Sequence, residues 1–130
     1  SVSTKPLTLD GSFINIFDGK LAQRTSITLD INQRALLYDI DWARKHLPLP
    51  RVAVASTRIK NEQTVEGRFE FVTRGPNSTQ AIIRVLLEKA PAQVSVDGAD
   101  TFKHDFDAKT GILSIQFDNR AADRKVSITL

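Results

Sequence analysis

Two carboxylates in the first half of the chain have the spacing that glycosidic bond hydrolysis requires. Asp39 and Asp41 stand two residues apart in the run Tyr38-Asp39-Ile40-Asp41-Trp42. On an extended strand such residues share a face and lie roughly 6.5–7 Å apart, and glycoside hydrolases use two carboxyl groups about 5–10 Å apart. However, a β-sandwich of only 130 residues, which is the fold predicted below, rarely builds a deep cleft. Positions at the end of a strand or at a helix cap also account for both residues. We therefore expect a protein that is not an enzyme. The alternatives are a small glycoside hydrolase that uses Asp39 and Asp41, or a purely structural or adhesion module.

Other residues that could react are few. The chain has no cysteine and only two histidines, His46 and His104. Cysteine nucleophiles, disulfides and zinc ribbons are therefore excluded. Neither histidine has the sequence context of a hydrolase, since the chain contains no G-x-S-x-G elbow. It also contains no glycine-rich phosphate loop, and we expect no cofactor.

One acidic segment offers the oxygen ligands that calcium prefers. It contains Asp97, Asp100, Asp105 and Asp107. The spacing does not match the twelve-residue calcium loop, which ends in a bidentate Glu. Because Asp105 and Asp107 fall on the outer face of a predicted strand, a solvated strand edge is the simpler interpretation. We predict no metal site.

The aromatic residues indicate a contact surface. The single Trp and the single Tyr, Trp42 and Tyr38, fall together beside charged residues. The predicted contact residues are Tyr38, Asp39, Asp41, Trp42, Arg44 and His46. Sugars stack their C–H faces on aromatic rings while polar neighbours bond the hydroxyl groups, so one interpretation of this surface is a glycan platform. The competing interpretation is that Trp42 plugs one end of the sandwich or docks on a neighbouring domain.

Composition limits the partners. The 18 Lys plus Arg and 15 Asp plus Glu give a net charge of +3, spread along the chain. Nucleic-acid binding usually requires basic residues clustered on one face, so no nucleic-acid partner is expected. No apolar run approaches the roughly 20 residues of a transmembrane helix, so no membrane span is expected.

Alternation of apolar and polar residues dominates the chain and predicts half-buried antiparallel strands. The alternating sets are Ile27, Leu29 and Ile31; Val65, Phe69 and Phe71; Leu113, Ile115 and Phe117; and Val126, Ile128 and Leu130. The stretch Gln80 to Glu88 is apolar on both faces, which is typical of a central strand. Phe102–Asp107 and Ile112–Phe117 flank a short loop ending in Gly111 and predict a hairpin.

The predicted fold is all-β, an antiparallel β-sandwich of immunoglobulin-like or jelly-roll-like type with about ten strands. One short helical turn is predicted from Asp41 to His46, capped by Asp41 and ended by Pro48. We interpret residues 1–130 as one sandwich domain with a connector at 42–50.

Residues 65–130 resemble the accessory C-terminal β-sandwich domains of secreted bacterial glycoside hydrolases and related polysaccharide-utilisation proteins. The resemblance rests on the segments 69–77 (FEFVTRGPN), 90–98 (APAQVSVDG), 106–115 (FDAKTGILSI) and 126–130 (VSITL). It implies a non-catalytic module that docks on the catalytic domain of its own polypeptide or binds a glycan. It also implies a secreted, periplasmic or cell-surface location. Since the chain begins with Ser1 rather than Met, we expect a fragment or C-terminal module of a longer protein.

Overall fold

The structure is a computed structural model that describes residues 7–15, 20–21, 23–29, 37–99 and 101–130. These residues form two compact units, 1–47 and 48–130, and the boundary falls inside the predicted connector. The described elements are eleven strands and one helix. The interpretation of residues 1–130 as one domain stays a prediction.

The first unit is a small antiparallel sheet followed by a helix. Its strands are β1 (Leu7–Asn15), β2 (Gln23–Leu29) and β3 (Leu37–Asp39), and they lie in the order β2-β1-β3. The predicted strand around Ile27 and Leu29 is therefore present as β2, whereas Ile31 lies outside the described residues.

Helix α1 (Ile40–His46) follows β3 directly. Its N-cap is Asp39, whose side chain accepts the Trp42 N–H at 3.1 Å, so the prediction that Asp41 caps the helix was wrong. An N-cap residue takes extended backbone angles, and Asp39 already has them as the last residue of β3. The helix ends as predicted before Pro48, which cannot donate a backbone hydrogen bond.

The second unit is an antiparallel β-sandwich of two four-stranded sheets. Its strands are β4 (Arg51–Ala55), β5 (Arg58–Val65), β6 (Arg68–Arg74), β7 (Gln80–Leu86), β8 (Gln93–Val96), β9 (Lys103–Asp107), β10 (Ile112–Asp118) and β11 (Arg124–Thr129). We call β4-β7-β10-β9 the first sheet and β5-β6-β11-β8 the second sheet. The predicted all-β sandwich is confirmed.

The core of the sandwich lies between the two sheets. Phe69, Phe71 and Ile128 come from the second sheet and pack in one cluster with Ile83 and Ile115 of the first. The predicted central strand is confirmed as β7, which pairs with both β4 and β10. The alternation therefore identified the residues of the core.

Of the two hairpins in the sandwich, β9-β10 was predicted from the sequence and β5-β6 was not. The predicted β9-β10 hairpin is confirmed, with Gly111 at φ 75° in its loop. The single strand predicted through Val65 and Phe71 was wrong, because Glu66 and Gly67, at φ 50° and 77°, form a two-residue turn between β5 and β6. Positive φ at both central residues is the requirement of the type I′ hairpin turn.

Candidate functional site

All six predicted contact residues lie on β3 and α1, within nine consecutive positions of the first unit. Tyr38 and Arg44 are half-buried, and the other four are exposed: Asp39, Asp41, Trp42 and His46. Ile40 and Ala43 are buried and hold the opposite side of the helix. The amphipathic helix thus presents the predicted contact residues outward from a fixed base.

Trp42 and His46 form the centre of this surface. They are four positions apart on α1, which places their side chains on the same face of the helix. Their ring centroids lie 4.8 Å apart with 19° between the planes, and His46 Nδ1 lies 2.9 Å from the Trp42 carbonyl oxygen. Trp42 is 53% exposed, and its interpretation as a plug of the sandwich, a docking contact or a glycan platform stays a prediction.

The carboxylates occupy different elements rather than one strand face. Asp39 ends β3 and caps α1, whereas Asp41 lies in the first turn of the helix. The Asp41 Oδ2 atom accepts the Ser12 N–H at 3.3 Å. The predicted pairing of the two carboxylates along an extended strand is therefore not formed, and each carboxylate has a local structural role.

An open hollow lies along the same helix. Asp41, Arg44 and Lys45 line it, and it measures about 450 Å³. One carboxylate and two cations border the hollow, so it offers both acceptors and donors of hydrogen bonds. We call Trp42, His46 and this hollow the Trp42 surface.

The acidic segment gives no support to calcium binding. Asp97 faces Arg120 at 4.0 Å, and Asp107 Oδ1 accepts the Lys109 N–H at 2.9 Å. Asp100 lies outside the described residues. Across the ranges that the structure describes, no three His, Asp or Glu side chains come together closely enough to hold a metal ion.

A second cavity, which the sequence analysis missed, lies at one end of the first sheet and measures about 360 Å³. Its lining residues are Gln80, Thr101, Phe102, Lys103, Gln116, Phe117 and Asp118. Alternation alone places Gln80, Gln116 and Asp118 on the outer face of their strands. Only the register, which pairs Gln80 with Asp118 and Gln116 with Lys103, brings these groups together. We call this group of residues the glutamine cavity.

No protein family matches the chain, and no curated protein and no solved structure matches it either. The described part of the chain also contains no helix long and apolar enough to cross a membrane.

Proposed function

We propose that this chain is a non-catalytic accessory module of a carbohydrate-active protein and that it contacts glycan through the Trp42 surface. The observation that carries the proposal is that the only tryptophan of the chain is 53% exposed and stacked on His46. Burying a large aromatic side chain is favourable, so an exposed and locally ordered Trp favours a contact role.

The geometry suits a sugar ring. The His46 ring covers one face of the Trp42 indole, which leaves the other face for the C–H surface of a pyranose. Asp41 can accept hydrogen bonds and Arg44 can donate them at the hollow on the same helix. A glycan hydroxyl is both donor and acceptor, so groups of both kinds at the rim match it.

The resemblance of residues 65–130 supports the accessory role. It extends the proposal to a secreted, periplasmic or cell-surface protein whose catalytic domain belongs to the same polypeptide. Docking on that catalytic domain is the second candidate role of the Trp42 surface, and the exposed indole favours it as well, because a protein partner would bury the same ring.

The single tryptophan makes the test direct. Because all tryptophan emission comes from Trp42, titration with oligosaccharides that bind on a glycan array should change its intensity and wavelength saturably. Trp42→Ala should abolish array binding, and His46→Ala should weaken it about ten-fold or more, which is about 1.4 kcal/mol. A silent array together with unchanged emission would refute glycan contact and leave the docking role.

The two histidines provide a matched control. His104 is also exposed, but it lies on β9 in the second unit. His104→Ala should therefore leave the response of Trp42 unchanged. Equal losses from both histidine variants would indicate a general effect on the protein rather than a site at Trp42.

The hydrolase alternative has its own test. Asn caps helices about as well as Asp, so Asp39→Asn combined with Asp41→Asn removes both carboxylates while keeping side-chain oxygens at the two bonds to backbone N–H groups. We expect no glycosidase activity in the wild-type chain. An activity that this double variant abolishes would overturn the accessory role.

A further inference from the structure

The glutamine cavity contains a directed chain of hydrogen bonds. Gln116 Nε2 donates to Gln80 Oε1 at 3.1 Å, and Gln80 Nε2 donates to Asp118 Oδ1. An ionised carboxylate can only accept, so Asp118 requires the Gln80 amide to turn its NH₂ group toward it. The Gln80 oxygen then faces Gln116, which fixes the orientation of the second amide in the same way.

Several polar groups remain for a ligand. Each amide keeps a second N–H, and Gln116 Oε1 and the second Asp118 oxygen are acceptors without a partner among the described residues. Lys103, the cross-strand neighbour of Gln116, lines the cavity with Thr101. Within the described part of the chain, neither the Lys103 ammonium nor the Thr101 hydroxyl has a hydrogen-bond partner. The cavity therefore offers both donors and acceptors to a ligand.

The charges select the class of ligand. The Asp118 carboxylate repels anions and the Lys103 ammonium repels cations, so the cavity is close to neutral as a whole. A single carboxylate is too few for a metal site. Neutral hydroxyl groups satisfy every group in the cavity, since each hydroxyl both donates and accepts.

The walls of the cavity fit a sugar. Phe102 is half-buried and Phe117 is buried, and both line the cavity beside the polar groups. The volume of about 360 Å³ lies within the usual range of about 300–1,000 Å³ for small-molecule sites, and the mostly polar lining suits a ligand rich in hydroxyl groups. We propose that the glutamine cavity is a binding site for a neutral saccharide.

This site is separate from the Trp42 surface. All of its residues lie between 80 and 118, in the second unit, and its ligand class follows from its own groups. The two proposals can therefore fail independently, and an experiment that observes Trp42 and the two glutamines together distinguishes them.

The test uses the side-chain NH₂ signals of Gln80 and Gln116 in ¹H–¹⁵N NMR spectra. Titration with D-glucose, D-galactose, D-mannose and maltose should shift these signals saturably for at least one sugar. Glucuronate and glucosamine, which add a negative and a positive charge, should bind more weakly than the neutral sugars. Saturable shifts confined to the Trp42 indole would overturn this proposal while supporting the Trp42 surface.

Variants locate the binding. Gln116→Ala should weaken the affinity about ten-fold or more, because it removes a donor and an acceptor that both face the cavity. Gln63→Ala is the matched control, since Gln63 is an exposed glutamine on β5 of the second sheet, and it should bind as the wild type does. Trp42→Ala should also keep the shifts at Gln80 and Gln116. Wild-type affinity in Gln116→Ala, or stronger binding of a charged sugar, would overturn the proposal.

Discussion

The outer face of each sandwich sheet carries a carboxylate with polar side chains on the neighbouring strand. The two carboxylates differ in how many of those side chains they contact. On the second sheet, Glu70 is only 4% exposed. Its Oε2 atom lies 2.7 Å from Lys125 Nζ and accepts the Ser127 hydroxyl at 3.0 Å. On the first sheet, Asp118 is exposed and accepts only the Gln80 amide from a side chain.

Register explains the difference. Ser127 lies directly opposite Glu70 in the ladder, and Lys125 lies two residues from Ser127 on the same face. Asp118 instead lies opposite Gln80, and Lys103 lies opposite Gln116. The second sheet thus closes its polar groups on one another, whereas the first sheet leaves them facing a cavity. A closed polar face contributes to folding, and an open one is available for binding.

The largest effect on stability is expected in the core between the two sheets, on which both outer faces depend. Phe71→Ala removes a fully buried ring from the cluster between the sheets, so the free energy of unfolding should fall by about 3–5 kcal/mol. Urea denaturation followed by circular dichroism measures it. Phe71→Leu, which keeps most of the buried volume, should cost much less. Equal costs for the two variants would contradict a packed core at this position.

The next largest effect on stability is expected at Asn119, whose buried amide lies at the end of the first sheet. Asn119 Nδ2 donates to Thr79 Oγ1 at 2.9 Å, and Asn119 Oδ1 accepts the Thr57 hydroxyl at 3.0 Å. Asn119→Ala leaves both hydroxyls without these partners and should cost about 1–3 kcal/mol in the free energy of unfolding. Asn119→Asp, which keeps the acceptor but loses the donor, should fall between the alanine variant and the wild type in thermal denaturation. A wild-type melting temperature in the alanine variant would show that the network is dispensable.

Much of this fold could be predicted from the sequence because the residues that form the core alternate with polar residues along each strand. Alternation identified Phe69, Ile115 and Ile128, since a buried position on a strand must be apolar whichever strand lies beside it. The turn at Glu66 and Gly67 was missed because alternation continues through it in the sequence. Paired residues share a face, so the turn places Val65 with Arg68 rather than with Phe69.

The candidate sites were predictable to different degrees. The Trp42 surface lies within one segment, so composition was enough to find it. The glutamine cavity draws Gln80, Gln116 and Lys103 from three strands. These three residues come together only because of which strands pair and in which register. The register between strands that are far apart in the chain cannot be recognised from a local sequence pattern.

A smaller, pH-dependent effect is expected on the closed face. The hydrogen bond from Lys125 is the main cause that lowers the pKa of Glu70. The Ser127 hydroxyl lowers it further, whereas burial opposes the shift. A carboxyl group whose pKa is lower in the folded protein stabilises it above the unfolded pKa of about 4.3. That stabilisation is lost as the pH falls through the folded pKa.

Glu70→Gln should therefore lower the melting temperature at pH 7, and its difference from the wild type should shrink progressively below about pH 4. Thermal denaturation across this pH range measures it. Lys125→Gln should show the same trend, because it removes the other half of the ion pair. A difference that is as large at pH 3 as at pH 7 would mean that Glu70 stabilises the sheet through packing rather than charge.

The smallest effect on stability is expected on the open face of the first sheet. It tests whether the polar groups there contribute to folding as those of the second sheet do. Gln116→Ala and Asp118→Asn alter groups that face the cavity, so each should change the free energy of unfolding by no more than about 0.5 kcal/mol. Urea denaturation under the conditions used for Glu70→Gln provides the measurement. If Gln116→Ala destabilised the protein as much as Glu70→Gln does, the amide chain would be a structural device like the ion pair of the other sheet. A binding site, in contrast, holds polar groups that folding does not need, so near-neutral stability combined with lost saccharide binding is the result that separates the two faces.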